Sequence, residues 1–130
     1  MNVPKNLLYT KKHAWVRLKK DVVTVGMTDE LQERIESVQS VLLPSKGDEL
    51  EMDHECLTIH SDSRFFDFFS PLTGRIVAVN TELKNRPELI HTSPYEDGWL
   101  FEMEYDEPDE LEMLYTPNEY LHELEFGTRR

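Results

Sequence analysis

Residues 56–74 read CLTIHSDSRFFDFFSPLTG. Residues 56–60 and 65–69 are short runs rich in β-branched, apolar and aromatic side chains, and the polar Ser61-Asp62-Ser63-Arg64 between them is a turn. Ser70-Pro71-Leu72-Thr73-Gly74 then breaks the second run. The stretch predicts a β-hairpin. Alternation puts Phe65, Asp67 and Phe69 on one face of its second strand and Phe66 and Phe68 on the other.

Upstream, residues 14–27 predict a second hairpin: Trp15-Val16-Arg17-Leu18 alternates, Val22-Val23-Thr24-Val25 is a β-branched run, and Lys19-Lys20-Asp21 is the turn. Thr28 reads as a helix N-cap, with Asp29 and Glu30 in the first turn, where the helix dipole favours negative charge. Leu31, Ile35 and Val38 fall at i, i+4 and i+7, one apolar face of a short helix. VQSVLLP (residues 38–44) is a strand closed by Pro44, and Ser45-Lys46-Gly47-Asp48 is a turn.

Downstream, residues 75–80 form another strand, followed by a loop region containing Pro87 and Pro94. GWLFEMEY (residues 98–105) alternates, with Trp99, Phe101, Met103 and Tyr105 on one face and Leu100, Glu102 and Glu104 on the other. EPDELEMLY (residues 107–115) and TPNEYLHELEF (residues 116–126) predict two short helices, each with Pro near its first turn. Many short strands, one small internal helix and a helical C-terminus argue a mainly β fold, a small barrel or sandwich with helical trim.

The chain has 130 residues, 38% hydrophobic and 31% charged, which suits one globular domain. No window approaches the ~18–20 apolar residues of a membrane helix. The N-terminal stretch lacks an apolar run of signal-peptide length, and the lone Cys56 fits a reducing compartment, so a cytoplasmic protein is expected. Net charge is −12. It is uneven: no Lys or Arg lies between Arg86 and Arg129, where Glu102, Glu104, Asp106, Glu107, Asp109, Glu110 and Glu112 cluster. Such a surface repels phosphate backbones, which argues against nucleic acid, and steers basic protein surfaces instead.

Three segments together resemble the H protein of the glycine cleavage system: YTKKHAWVR (residues 9–17), VTVGMTDELQE (residues 23–33) and SPLTGRIVAVNTELKNRPELIHTSPYEDGWL (residues 70–100). They stand in order and at matching spacing, and the likeness runs from about residue 9 to about residue 124. The resemblance implies a single domain over residues 1–130 with a lipoyl-domain fold: two small sheets in a flattened β-barrel or sandwich, a barrel-sandwich hybrid. It implies a hairpin that displays a lipoyl-lysine, whose arm shuttles an aminomethyl group between glycine decarboxylase, an aminomethyltransferase and dihydrolipoamide dehydrogenase. Such a protein is a carrier substrate rather than an enzyme.

Two departures bear on that role. Counted back from Ser70-Pro71, the family's lysine position falls on Ser63, and no lysine lies between Asp48 and Leu83. Serine has no amine, and Arg64 carries a guanidinium that stays protonated. In YTKKHAW, Ala14 stands where the family usually has a Glu that shelters the loaded arm's amine. The expectation is therefore a non-enzyme without the family's lipoate. It works by contact with protein partners, glycine cleavage or lipoate-handling enzymes among them, through Arg64, Phe66 and Phe68. Phe66 either fills the groove of the missing arm or presents an apolar patch.

A second reading is a small-molecule or metal-binding domain that uses the former arm groove or His54 and Cys56. His54, Cys56 and His60 share parity on one strand; the first two lie about 7 Å apart and could chelate a soft metal, whereas His60 is too far along to join them. No catalytic residues are expected. His60 and Ser61 are adjacent on a strand and point to opposite faces, which leaves neither serine of the turn a general base.

Overall fold

In the computed structural model, which describes residues 2–127, the strand runs find partners both locally and across the chain. β1 (Leu8–Tyr9), β2 (Ala14–Lys19) and β3 (Val22–Met27) form an antiparallel edge; Lys20 in the β2–β3 turn takes a φ of 55°, the left-handed value that a tight hairpin turn asks for. β9 (Phe101–Tyr105) then pairs with β3, β8 (Gly74–Val79) with β9, and β5 (Glu49–Leu50) with β8. The result is a six-stranded sheet in the order β1-β2-β3-β9-β8-β5. β4 (Val38–Leu42), β6 (Glu55–Ser61) and β7 (Arg64–Phe69) make a second sheet in the order β4-β6-β7.

The two sheets face each other across one apolar core. Val16, Val23, Val25, Ile76, Phe101 and Met103 come from the first sheet, and Val41, Leu57, Ile59 and Phe68 from the second. Burial of this apolar surface is the main force holding the sheets together. A smaller cluster of Leu7, Tyr9, Trp15, Tyr95 and Tyr120 lies on the other side of β1 and β2. The fold is mainly β, a flattened sandwich with a few short helices.

The internal helix is shorter than its periodicity suggests. α1 (Asp29–Arg34) is capped by the Thr28 hydroxyl, which accepts from Leu31 N–H at 3.3 Å. It ends because Ile35 already takes an extended conformation (φ −101°, ψ 126°). Ile35 and Val38 are buried, but from the helix exit and from β4, not from a helix face. The region around Pro87 also holds structure: a 3-10 turn at Thr81–Lys84 and α2 (Leu89–Thr92), which buries Leu89 and Ile90. Asn80 fastens it, its side-chain amide donating to the carbonyls of Asp97 and Trp99 at 2.8 Å each.

At the C-terminal end, Pro108–Met113 is a 3-10 turn and α3 (Pro117–Phe126) is helical. Thr116 and Glu119 close a reciprocal capping box at the start of α3. Tyr120 of α3 stacks on Tyr9 with ring centroids 4.7 Å apart. Among the described residues no helix is long and apolar enough to cross a membrane.

Candidate functional site

The β6–β7 hairpin closes more tightly than its sequence turn. Ser61 pairs directly with Arg64, which leaves only Asp62 and Ser63 in the turn. Asp62 takes a φ of 53°, and Gln39 Nε2 donates to its carboxylate at 3.2 Å. Ser63 is exposed at the tip.

Register across this turn sets which ring faces where. Leu57 and Ile59 are buried and fix the inner face of β6. Their partners are Phe68 and Phe66. Phe68 is therefore 1% exposed and meets Phe101 edge-on, with ring centroids 6.4 Å apart. That corrects its expected place on the interaction surface: Phe68 is core. Phe66 is half-buried, packing against the core with Arg64 over its ring at 5.4 Å from the centroid. Arg64 is exposed.

Of the hairpin's rings, Phe65 is the one turned to the surface. It is 66% exposed and stacks on His60, its cross-strand partner, at a centroid distance of 4.7 Å and an interplanar angle of 16°. The signal for it was available, since Leu57 and Ile59 define the buried face of β6 and a two-residue turn carries that face to Phe66 and Phe68. Ser61 is buried while His60 lies with Phe65 on the outer face, so the two share no site. Lys12, from the loop before β2, was not foreseen as a neighbour of this hairpin. Its Nζ lies 3.9 Å from the centroid of the Phe69 ring. Phe69 is about 20 Å along the strand from the turn.

The metal candidates do not come together. His54 lies in the turn before β6 rather than on the strand, and its Nε2 is 3.4 Å from Glu51. Cys56 is half-buried, and burial pushes its thiol up to about 12, so it is protonated at neutral pH and a poor ligand. Among the described residues, no three His, Cys, Asp or Glu side chains gather in a way that could hold a metal.

A cleft of about 480 Å³ lies where the residue 10–13 loop, α1 and α3 meet, lined by Lys11, His13, Glu30, Arg34, Glu123 and Leu124. Its charges are partly spent on each other, Arg34 meeting Glu30 at 2.8 Å. His13 holds a left-handed φ of 72°, and its Nδ1 is 2.8 Å from the Tyr120 hydroxyl, which in turn is 2.9 Å from Thr28 Oγ1. Burial, and then the nearby Arg34, lower the His13 pKa. Ala14, next to it, is buried at 1% exposure in β2.

The Glycine cleavage H-protein family model matches residues 7–126. The glycine cleavage system H protein of Psychrobacter sp. (strain PRwf-1) is 41% identical over 124 residues, covering 95% of this chain and 98% of that protein. The probable glycine cleavage system H protein of Aeropyrum pernix is 38% identical over 120 residues, covering 92% and 84%. The crystal structure of a glycine cleavage system H protein from Mycobacterium marinum superposes with a TM-score of 0.83 at 28% identity, over 95% of this chain and all of that one.

These matches overturn one expectation, that the family's lipoate is not to be looked for here. The relatives, alike over nearly the whole chain, are H proteins, which carry lipoate as their prosthetic group. The hairpin tip was the place expected to hold it, and there the donor chemistry does not fit: Asp62 and Ser63 offer a carboxylate and a hydroxyl, Arg64 a guanidinium, and a lipoyl amide needs a primary amine. H proteins are carriers and not enzymes in themselves. By sequence over residues 7–126 and by fold, this chain belongs to the glycine cleavage H-protein family.

Proposed function

We propose that this chain serves glycine cleavage as a docking member of its family, a module that engages protein partners through the β6–β7 hairpin. The observation that carries the reading is Phe65, a large ring 66% exposed at the end of a hairpin. Arg64 is exposed beside it, and Phe66 is half-buried. Aromatic and arginine side chains are the types that anchor protein interfaces. The turn between the strands, Asp62-Ser63, carries no amine. The partners in this reading are glycine cleavage or lipoate-handling enzymes. The net charge of −12 supports protein rather than nucleic acid as the partner, and the free Cys56 thiol supports work in the reducing cytoplasm.

Titration calorimetry tests this. The chain is mixed in turn with the glycine decarboxylase, aminomethyltransferase, dihydrolipoamide dehydrogenase and lipoate ligase of the same organism. At least one binds, and Phe65→Ala or Arg64→Ala weakens it about tenfold or more while the fold is kept. Binding by none of the four, or binding indifferent to both variants, refutes the reading.

A further inference from the structure

Among the described residues β7 is an edge strand: in the order β4-β6-β7 it has a neighbour on one side only. Its backbone can be sorted by register. Ser61 and Arg64 flank a two-residue turn, so they exchange both of their backbone hydrogen bonds. Antiparallel pairs alternate between bonded and non-bonded. Phe66 is therefore bonded to Ile59 and Phe68 to Leu57, whereas Phe65 and Asp67 sit in non-bonded pairs with His60 and Thr58. The N–H and C=O groups of Phe65 and Asp67 point away from β6, toward the open edge.

Open edges of this kind are usually short, charged or covered. This one carries charges at Arg64 and Asp67, but it is six residues long, RFFDFF, with an exposed ring at Phe65 and a half-buried one at Phe66. Lys12 lies over its far end, at Phe69. The edge is thus a template for one more strand, with two donors and two acceptors for the main chain and a ring on each side of it for side chains.

The charges say what kind of strand. Asp53, Glu55 and Asp67 are exposed along β7, against Arg64 and Lys12, while Asp62 at the turn is held by Gln39 on the β4 side. A second copy would bring the same acids, and a whole-molecule charge of −12, onto themselves. A basic segment meets opposite charge.

The geometry points to β7 as a strand-addition site for an extended, basic and apolar-alternating segment of a protein partner. This deepens the docking reading above and rests on it.

Hydrogen exchange by NMR on the full-length, ¹⁵N-labelled chain reads it residue by residue. The probes are two synthetic hexapeptides, one alternating lysine and valine, the other glutamate and valine. With the basic peptide the Phe65 and Asp67 amides slow about tenfold or more, while Phe66 and Phe68, already bonded, hold steady. Asp67→Pro removes an outward N–H at an edge position where proline is tolerated, and it abolishes the effect. Three results overturn the inference: no slowing with the basic peptide, equal slowing with the acidic one, or slowing that follows protein concentration without peptide, which would make a second copy the occupant. Should the proline variant not fold, the two amides of the unaltered chain still decide. Enzyme binding weakened by Phe65→Ala but indifferent to Asp67→Pro would keep the docking reading and remove strand addition.

Discussion

Phe65→Ala and Phe68→Ala delete the same atoms from the same strand, and the structure assigns them opposite consequences. Phe68 is 1% exposed, opposite Leu57 of β6 and in a T-shaped contact with Phe101. A buried phenylalanine removes about 200 Å² from water, worth about 5 kcal/mol at about 25 cal/mol per Å². Alanine retains a share of that, and the core closes only partly around the space, so a loss of about 3–5 kcal/mol is expected. Phe65 already leaves two-thirds of its surface in water, and much of the remainder rests on the His60 ring. Its truncation should cost about 1 kcal/mol or less. Urea unfolding at neutral pH, followed by far-ultraviolet circular dichroism, gives both values, and the dependence on urea should be unchanged in Phe65→Ala. A gap under about 1 kcal/mol between the variants, or one of reversed sign, would mean that β7 is out of register. The surface and the free edge argued from that register would fall with it.

Two further outcomes follow from other sites. Burial lowers the pKa of both His13 and His91, so the native state disfavours their charged forms while the unfolded chain does not. A folded pKa below the unfolded value means that the unfolded state takes up protons first. Stability should hold above about pH 6.5 and fall with decreasing pH until the folded values are reached, by at most about 1.4 kcal/mol per pH unit for each histidine. Urea midpoints measured from pH 8 to pH 5.5 check this, and a midpoint that stays flat or rises on acidification refutes it. The acidic segment after β9 is not only a solvated face: Glu110 accepts from both the backbone N–H and the hydroxyl of Thr73, at 2.8 Å each. Glu110→Ala should cost about 1–3 kcal/mol, and Glu110→Gln less because one acceptor survives. Thermal melts of the two variants that match the parent would show those bonds to be worth nothing.

Most strands were legible because their patterns are local. The β2–β3 hairpin, β6, β7 and β8 follow from local patterns bounded by turn residues, within a residue or two at each end, and β9 does so with a start three residues later than its run. What failed has a common cause. β1 and β5 are two residues each, too short to show a period, and they exist only because β2 and β8 give them partners. Three apolar residues at helical spacing, Leu31, Ile35 and Val38, fit a continuous helix and also a helix that exits into a strand. Tertiary packing chose the exit, since Ile35 is buried in an extended conformation. Leu100 has the parity of the outer face of β9 but is fully buried, because the strand begins one residue later and Leu100 bonds instead to Val25. The order of the first sheet, in which β9 separates β3 from β8, joins residues some eighty apart and leaves no local trace.

The site shows the same division between what alternation supplies and what it omits. Alternation correctly separated Phe65 and Asp67 from Phe66 and Phe68, but it cannot say which pair faces water. That depends on the partner strand, through a turn whose bounds decide parity: a turn of three residues that took in Arg64 would carry Phe65 inward and Phe68 outward. The turn of this chain is Asp62-Ser63, with Asp62 in the left-handed conformation that a two-residue loop requires. Those two residues therefore have two effects at once. They put a carboxylate and a hydroxyl at the hairpin tip. They also fix the register that buries Phe68, exposes Phe65 and turns two backbone donors outward. In this chain the chemistry of the tip and the surface available for docking are set by the same short segment, so a turn that took in Arg64 would alter both together.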